Sequence, residues 1–242
     1  MKKLLIAALI FITTKTNSQT VEFIVSASAG GPNDTVTRKI ADKLEHTLNK
    51  QIIVLNKPGA AHTIAYNYAL STNKPTLIMA TSEVVNHPVY THLDEVFLAG
   101  YFTNIMFVSR KSSITNIDQV IELSKSREIL FGHGGIATFS HMAMQTICEK
   151  KLRCLPVAYR SAAEGMLGVM SGHIDAYAIV SYGSKQFSEN DKITAMYEID
   201  VSPDKSWFKL FSRNISLSDR ESIKKVLQSQ DSKFYSDMGF KK

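Results

Sequence analysis

The sequence predicts an α/β protein of two lobes, each a mostly parallel sheet flanked by helices. Three observations carry this. Short apolar runs alternate with helix-periodic segments from Val21 to Val180. The plan of strand, small-residue loop and helix occurs twice, with glycine-bearing loops about 100 residues apart. The chain has 242 residues, enough for two cores.

Val21–Val25 is a short apolar run and reads as a buried strand. Ser26 to Gly31 carry only small side chains, so another molecule can approach the backbone closely. Val36, Ile40, Leu44 and Leu48 then mark one face of a helix, with Pro32 suited to its first position and Asp34 to its first turn. Gln51–Leu55 predicts a second strand, Asn56-Lys57-Pro58-Gly59 a turn, Ala60–Leu70 a helix and Thr76–Ala80 a third strand. That alternation implies parallel pairing with helical crossovers. Val96–Tyr101 and Ile105–Ser109 are further apolar runs. A helix starts near Ile117 after capping residues Ser113–Asn116. Ile129–Phe131 leads into the loop Gly132–Ser140 and a helix carrying Met142, Met144, Ile147 and Cys148. Leu155–Tyr159, Ala162–Ser171 and Ile174–Val180 read as strand, helix and strand. Ile193–Ile199 reads as a return crossing, and Trp207–Phe211 and Arg220–Leu227 as a last strand and helix. The expected division is a leader over 1–18, a first lobe over 19–104 plus 200–242, and a second lobe over 105–199.

Lys2 and Lys3 precede Leu4–Ile12, an apolar stretch too short to span a bilayer, and Thr16 and Ser18 suit a cut before Gln19. The expectation is an exported, periplasmic chain with no membrane insertion of its mature part. The formal charge is +6; without the leader lysines Lys2, Lys3 and Lys15, three charges, it is +3. No basic run with interleaved aromatics occurs, which argues against a nucleic-acid partner. Cys148 and Cys154 match no zinc spacing. They would sit at a helix end and the next strand's start, as a disulfide or as two small buried hydrophobes.

A series of motifs runs in order from about Val21 to Ile199. Ala29-Gly30-Gly31-Pro32-Asn33-Asp34 follows the first strand, and Asn56–Thr63 reads NKPGAAHT. Asn86-His87-Pro88-Val89-Tyr90, Phe131–His141, Val157–Ser161 and Ser171–Asp175 follow. On these segments the chain resembles the extracytoplasmic solute receptors of tripartite tricarboxylate transporters, the Bug receptors. The resemblance implies a type II periplasmic-binding fold that closes on a small organic acid. The ligand carboxylate would be held by loop N–H groups and water, with little help from cationic side chains. It implies a monomer that hands its ligand to membrane transporter subunits, with no cofactor. An orphan or sensory receptor signalling to a membrane sensor is the alternative. Ala137, and Ala61 with His62, stand where the family has glycine, and His133 where it has a small residue. The segment after Ile199 is shorter than the family's usual one.

The expected ligand residues are Ser26, Ser28, Ala29, Gly30, Gly31, Asn33 and Asp34 in the first loop, and Gly135, Ile136, Ala137, Thr138 and Ser140 in the second. Ser82 and Glu83 follow the third strand, facing the expected cleft, and Asp175 and Ser181 complete the set. Neither loop holds Lys or Arg, so an anion there would meet mainly the unpaired N–H groups of helix starts. No metal site is expected. An enzyme is disfavoured: Ser140 and His141 are adjacent and diverge by about 100° on a helix. No G-x-S-x-G, H-E-x-x-H or G-K-[ST] pattern occurs.

Overall fold

The computed structural model describes residues 20–82, 91–150, 152–188, 190–201 and 206–241. The first sheet contains β1 (Val21–Val25), β2 (Ile52–Asn56), β3 (Thr76–Thr81), β4 (Asp94–Phe102) and β10 (Ser206–Arg213), in the order β2-β1-β3-β10-β4. The second contains β5 (Asn104–Ser109), β6 (Ile129–His133), β7 (Cys154–Ala158), β8 (Ala176–Val180) and β9 (Ile193–Ile199), in the order β7-β6-β8-β5-β9. In both sheets three neighbouring strands, β2-β1-β3 and β7-β6-β8, pair in parallel, and β10 and β5 join them antiparallel. The two-lobed α/β class expected from the sequence is therefore present, and β9 is an edge strand of the second sheet.

The helices are α1 (Pro32–Leu48), α2 (Thr63–Ser71), α3 (Ile117–Ser126), α4 (Phe139–Lys150), α5 (Ala162–Ser171), α6 (Lys185–Ser188), α7 (Leu217–Ser229) and α8 (Ser232–Ser236). Their faces explain their positions. Val36, Ile40 and Leu44 of α1 are buried against Val21 and Phe23 of β1 and Leu77 of β3. Each such side chain contributes about 1.5–3 kcal/mol through burial. Asn116 caps α3 by accepting from Gln119 N–H, and Ser161 caps α5 by accepting from Glu164 N–H. α2 starts at Thr63, three residues later than the sequence predicts. Ala60, Ala61 and His62 are left-handed, with φ of 47°, 45° and 73°, and cannot belong to a right-handed helix. Cys148 and Cys154 form a disulfide that joins the last turn of α4 to the first residue of β7, with Cα atoms 5.8 Å apart.

Three chain segments meet where the lobes join. β4 passes to β5 through Thr103, whose N–H donates to Ser181 Oγ at 3.2 Å and whose carbonyl accepts from Ser181 N–H at 2.7 Å. Ser181 Oγ donates to the Gly239 carbonyl at 2.9 Å, and Gly183 N–H to the Met238 carbonyl at 2.6 Å. Tyr101 and Lys241 exchange two backbone hydrogen bonds. Aromatic rings fill the joint: Tyr182 stacks on Phe208 at 4.5 Å and on Phe240 at 5.2 Å, and meets the edge of Phe102 at 4.7 Å. Phe139, at the start of α4, packs edge-on against Phe102 at 4.8 Å. The joint is a shared hydrophobic core.

Gly239 has φ +86°, and a Cβ there would lie 2.1 Å from the Ser181 carbonyl oxygen. Gly239→Ala should therefore cost about 2 kcal/mol or more, combining left-handed strain with a backbone clash. Thermal unfolding would show this as a melting temperature lower by about 4–8 °C. An unchanged melting temperature would mean that the C-terminal segment is not seated on the joint.

Candidate functional site

The carboxyl ends of the parallel strands of both sheets face a cavity of about 340 Å³. Ser26, Ala27, Ser28, Gly31 and Asn33 line it from one lobe, and Gly134, Gly135, Ile136, Thr138 and Ser140 from the other. The β2–α2 turn adds Pro58 to His62, the β7–α5 turn adds Arg160 to Ala162, and Tyr177 to Val180 of β8 contribute with Tyr182.

The first loop is held open by one carboxylate. Asp34 accepts from Gly30 N–H at 2.9 Å, Arg38 Nε at 3.0 Å and Asn56 Nδ2 at 3.0 Å. Asn56 Nδ2 also donates to the Ala27 carbonyl at 3.0 Å. Burial alone would raise the Asp34 carboxyl, but the donors from Arg38, Gly30 and Asn56 outweigh it and hold it below the usual carboxylate range. Gly31 is the N-cap of α1 and no side chain caps that helix. The positive end of α1 thus meets the cavity at Gly31, Pro32 and Asn33. His62 Nδ1 lies 2.9 Å from Ser26 Oγ and 3.1 Å from the Ser26 carbonyl, tying the β2–α2 turn to the end of β1.

The second loop is shaped by hydroxyls. Thr138 Oγ1 donates to the Gly135 carbonyl at 2.7 Å and accepts from His141 N–H at 3.4 Å, capping α4. Gly134 N–H donates to Ser140 Oγ at 2.9 Å, and Ser140 is bonded to the Tyr177 phenol. Burial pushes Tyr177 up to about 12, against the opposing Ser140 hydrogen bond, so the phenol stays neutral. Gly135 N–H donates to His133 Nδ1 at 3.1 Å. Three N–H groups of this loop, those of Gly134, Gly135 and Thr138, are thus engaged within the protein, which leaves the first turn of α4 as its main donor set. His133 and His141 stack edge-on at 4.9 Å; burial, then His133, holds His141 below its ordinary value.

Several expected residues stand elsewhere. Ala29 and Gly30 form an exposed tip outside the cavity wall, and Ala137 is also outside it. Asp34 braces the loop from behind. Ser82 Oγ accepts from Trp207 N–H at 3.3 Å, away from the wall. Ser181 belongs to the joint. Asp175 precedes β8 and so lies at the opposite end of the strands; Arg127 pairs with both its oxygens at 2.7 Å, and Leu130 N–H donates to it at 2.9 Å. Glu83, and the segment Asn86–Tyr90, lie outside the described residues. The sequence reading missed His62, Arg160, Tyr177 and Tyr182. Arg160 lies outside the expected set: among the described residues lining the cavity it is the only Lys or Arg, and no Asp or Glu joins it. Its signal was the start of a third strand-to-helix turn, Tyr159-Arg160-Ser161.

Two lobes, parallel strand ends facing each other and opposed helix starts define a two-lobed α/β fold with a cavity at the meeting of its sheets. The family model described as tripartite tricarboxylate transporter family receptor matches residues 36–199, and the chain belongs to that family. A UPF0065 protein of Bordetella bronchiseptica is 29% identical over 171 residues, covering 65% of this chain and 51% of its own. A UPF0065 protein of Cupriavidus necator is 25% identical over 172 residues, covering 65% and 52%. The chain thus spans about half the length of the curated relatives it matches. Among solved structures, Rpa4515 of R. palustris with adipate has a TM-score of 0.79 at 17% identity, covering 93% of this chain and 88% of its own. The periplasmic binding protein BugD has a TM-score of 0.74 at 20% identity, covering 91% and 86%. MatC from Rhodopseudomonas palustris with bound malate has a TM-score of 0.72 at 16% identity, covering 91% and 88%. At these identities the three likenesses establish the fold.

Asp34→Asn should lower stability at pH 7 by about 1–3 kcal/mol, since it weakens hydrogen bonds to a charged acceptor. A pKa lowered below the unfolded value stabilises the fold above that value and is lost as pH falls through the lowered one. Melting curves of the two proteins should therefore begin to converge as pH falls below about 4; a gap that does not narrow on acidification would contradict the assignment. Ala137 has φ +66°. Ala137→Gly should raise stability by about 0.5–1 kcal/mol by relieving left-handed strain, measured by denaturant unfolding; a loss would show the strain to be absent.

Proposed function

We propose that this chain captures a small organic carboxylate in the cavity between its lobes and delivers it to the membrane subunits of a tripartite transporter. One observation carries the reading: the starts of α1 and α4 meet one cavity from opposite lobes, and no described carboxylate lines it. The adipate and malate held by the two R. palustris proteins support an acid as the ligand class. The same reading divides the chain into lobes at 104/105 and 199/200. It places the protein in the periplasm as a monomer, after removal of a leader ending near Ser18. Among the described residues no helix is long and apolar enough to cross a membrane.

Binding without chemistry fits the Ser–His contact found among the described residues of the cavity wall. A His62 Nδ1 that donates to the Ser26 carbonyl carries its proton and cannot take one from Ser26 Oγ.

A thermal-shift screen of organic acids, neutral sugars and amines on the purified protein tests this. At a concentration ~1,000 times the dissociation constant, the cognate acid should stabilise the fold by about 4 kcal/mol. The melting temperature should then rise by about 8–16 °C. Ser28→Phe, which fills the cavity, should abolish the rise. A well-folded sample that responds only to sugars or amines would overturn the reading.

A further inference from the structure

His133 ends β6 behind the second loop and is not part of the cavity wall. It is buried, and its Nδ1 accepts from Gly135 N–H at 3.1 Å, so the proton of the neutral ring sits on Nε2. The peptide that carries this N–H joins Gly134 to Gly135, and both residues line the cavity. In a trans peptide the carbonyl points opposite to the N–H. The Gly134 carbonyl therefore points away from His133, and no described residue donates to it.

The peptides on either side are anchored. Gly134 N–H donates to Ser140 Oγ at 2.9 Å, and the Gly135 carbonyl accepts from Thr138 Oγ1 at 2.7 Å and Thr138 N–H at 3.4 Å. Turning over the one peptide between these anchors changes ψ of Gly134 and φ of Gly135, and neither residue has a Cβ to resist it. Gly135 has φ +113°, and the place its Cβ would take is open space.

Few charges face His133. From α4, His141 meets its ring edge-on at 4.9 Å. From β7 the register partner is Ala158, and Tyr159 beside it donates its N–H to the His133 carbonyl. β8 supplies Tyr177, opposite Gly132, with a neutral phenol bonded to Ser140. α3 turns Val120 and Ser124 inward and leaves Asp118, Glu122 and Lys125 exposed. α5 packs on the other face of β6, where Glu164 accepts from Arg160 N–H. No described carboxylate pairs with His133 or His141.

We infer that the Gly134–Gly135 peptide is a proton-controlled donor for the bound anion, with His133 as its positioning residue. A His133 that takes a proton from solvent cannot accept from Gly135 N–H. Its Nδ1–H donates instead to the Gly134 carbonyl once the peptide has turned over. The turn withdraws that carbonyl from the side of the loop away from His133 and presents Gly135 N–H there, toward the cavity. The imidazolium also adds a positive charge behind the loop. Both changes favour an anion, so proton and ligand bind cooperatively. This rests on the carboxylate reading above.

NMR of the ¹⁵N-labelled, ligand-free protein tests the peptide turn. At pH 8 His133 Nδ1 should carry no proton. As pH falls to 5 it should gain one, and the Gly135 amide signal should move along the same curve. A proton on Nδ1 at pH 8, none by pH 5, or a Gly135 signal that stays fixed while His133 titrates would each overturn the turn. Calorimetry with adipate and malate, both almost fully ionised down to about pH 6.5, tests the coupling. Affinity should rise at least about threefold from pH 8 to pH 6.5, with proton uptake seen as a heat that depends on the buffer. His133→Asn cannot titrate, and its affinity should stay level over that range. Affinity that falls or stays level in the native protein, or a rise that survives in His133→Asn, would overturn the coupling. Failure of every acid in the thermal-shift screen would instead overturn the carboxylate reading and the coupling with it, while NMR of the free protein still decides the peptide turn.

Discussion

The hydrogen bond from Tyr182 to Asn33, buried inside an aromatic stack, fixes how the two lobes meet. Tyr182 leaves β8 of the second sheet, yet its ring is sandwiched by Phe208 and Phe240 of the first lobe's core. Its phenol reaches into the first turn of α1. A buried phenol without a partner would be costly, so the bond orients α1 as much as it orients the ring. Gly183 lies against Pro32, with room for no side chain: a Cβ there would sit 2.8 Å from the Pro32 Cα. The start of α1 is thus placed relative to the second lobe by packing on one side and a hydrogen bond on the other. The cavity follows from that placement.

The two cavity loops reach similar shapes by different means. The first uses a charge, Asp34, held low by the donors it gathers. The second uses neutral hydroxyls, Thr138, Ser140 and Tyr177, with the Tyr177 ring admitted by glycine at 132 and 165, where a Cβ would lie 2.6 and 2.1 Å from its nearest neighbours. Both loops are therefore organised before a ligand arrives, which reduces the ordering cost of binding. Left-handed Ala60, Ala61, His62 and Ala137 all lie at or beside the cavity. Strain of about 1 kcal/mol or more at each is concentrated where the backbone must turn its N–H groups inward.

The strand and helix plan was legible because its signals are local. The alternation of Val21–Val25 with the Val36, Ile40, Leu44 face needs no tertiary information, and neither does Pro32 at the first position of α1. The motifs also pointed to the two loops that converge on the cavity. Asp175 was misread because its position in a motif says nothing about which end of β8 it occupies; the parallel register of β6 and β8 puts it at the far end. Asp34 was close to the site in sequence, but the hydrogen bond from Asn56 that holds it behind the loop joins residues 22 apart. Arg160 and His62 were missed because they reach the cavity from edge strands, and sheet order is not written in any single segment. Tyr182 was missed for the same reason: its partners Asn33, Phe208 and Phe240 come together only when both lobes do.

Opposed helix starts acting together on one anion is the central claim, and amide chemical shifts test it most directly. In a ¹⁵N-labelled sample titrated with a bound organic acid, the N–H signals of Gly31, Asn33 and Asp34 should move together with those of Ile136, Ala137 and Ser140, along one binding curve. Shifts confined to one lobe, or to exposed lysines, would contradict it.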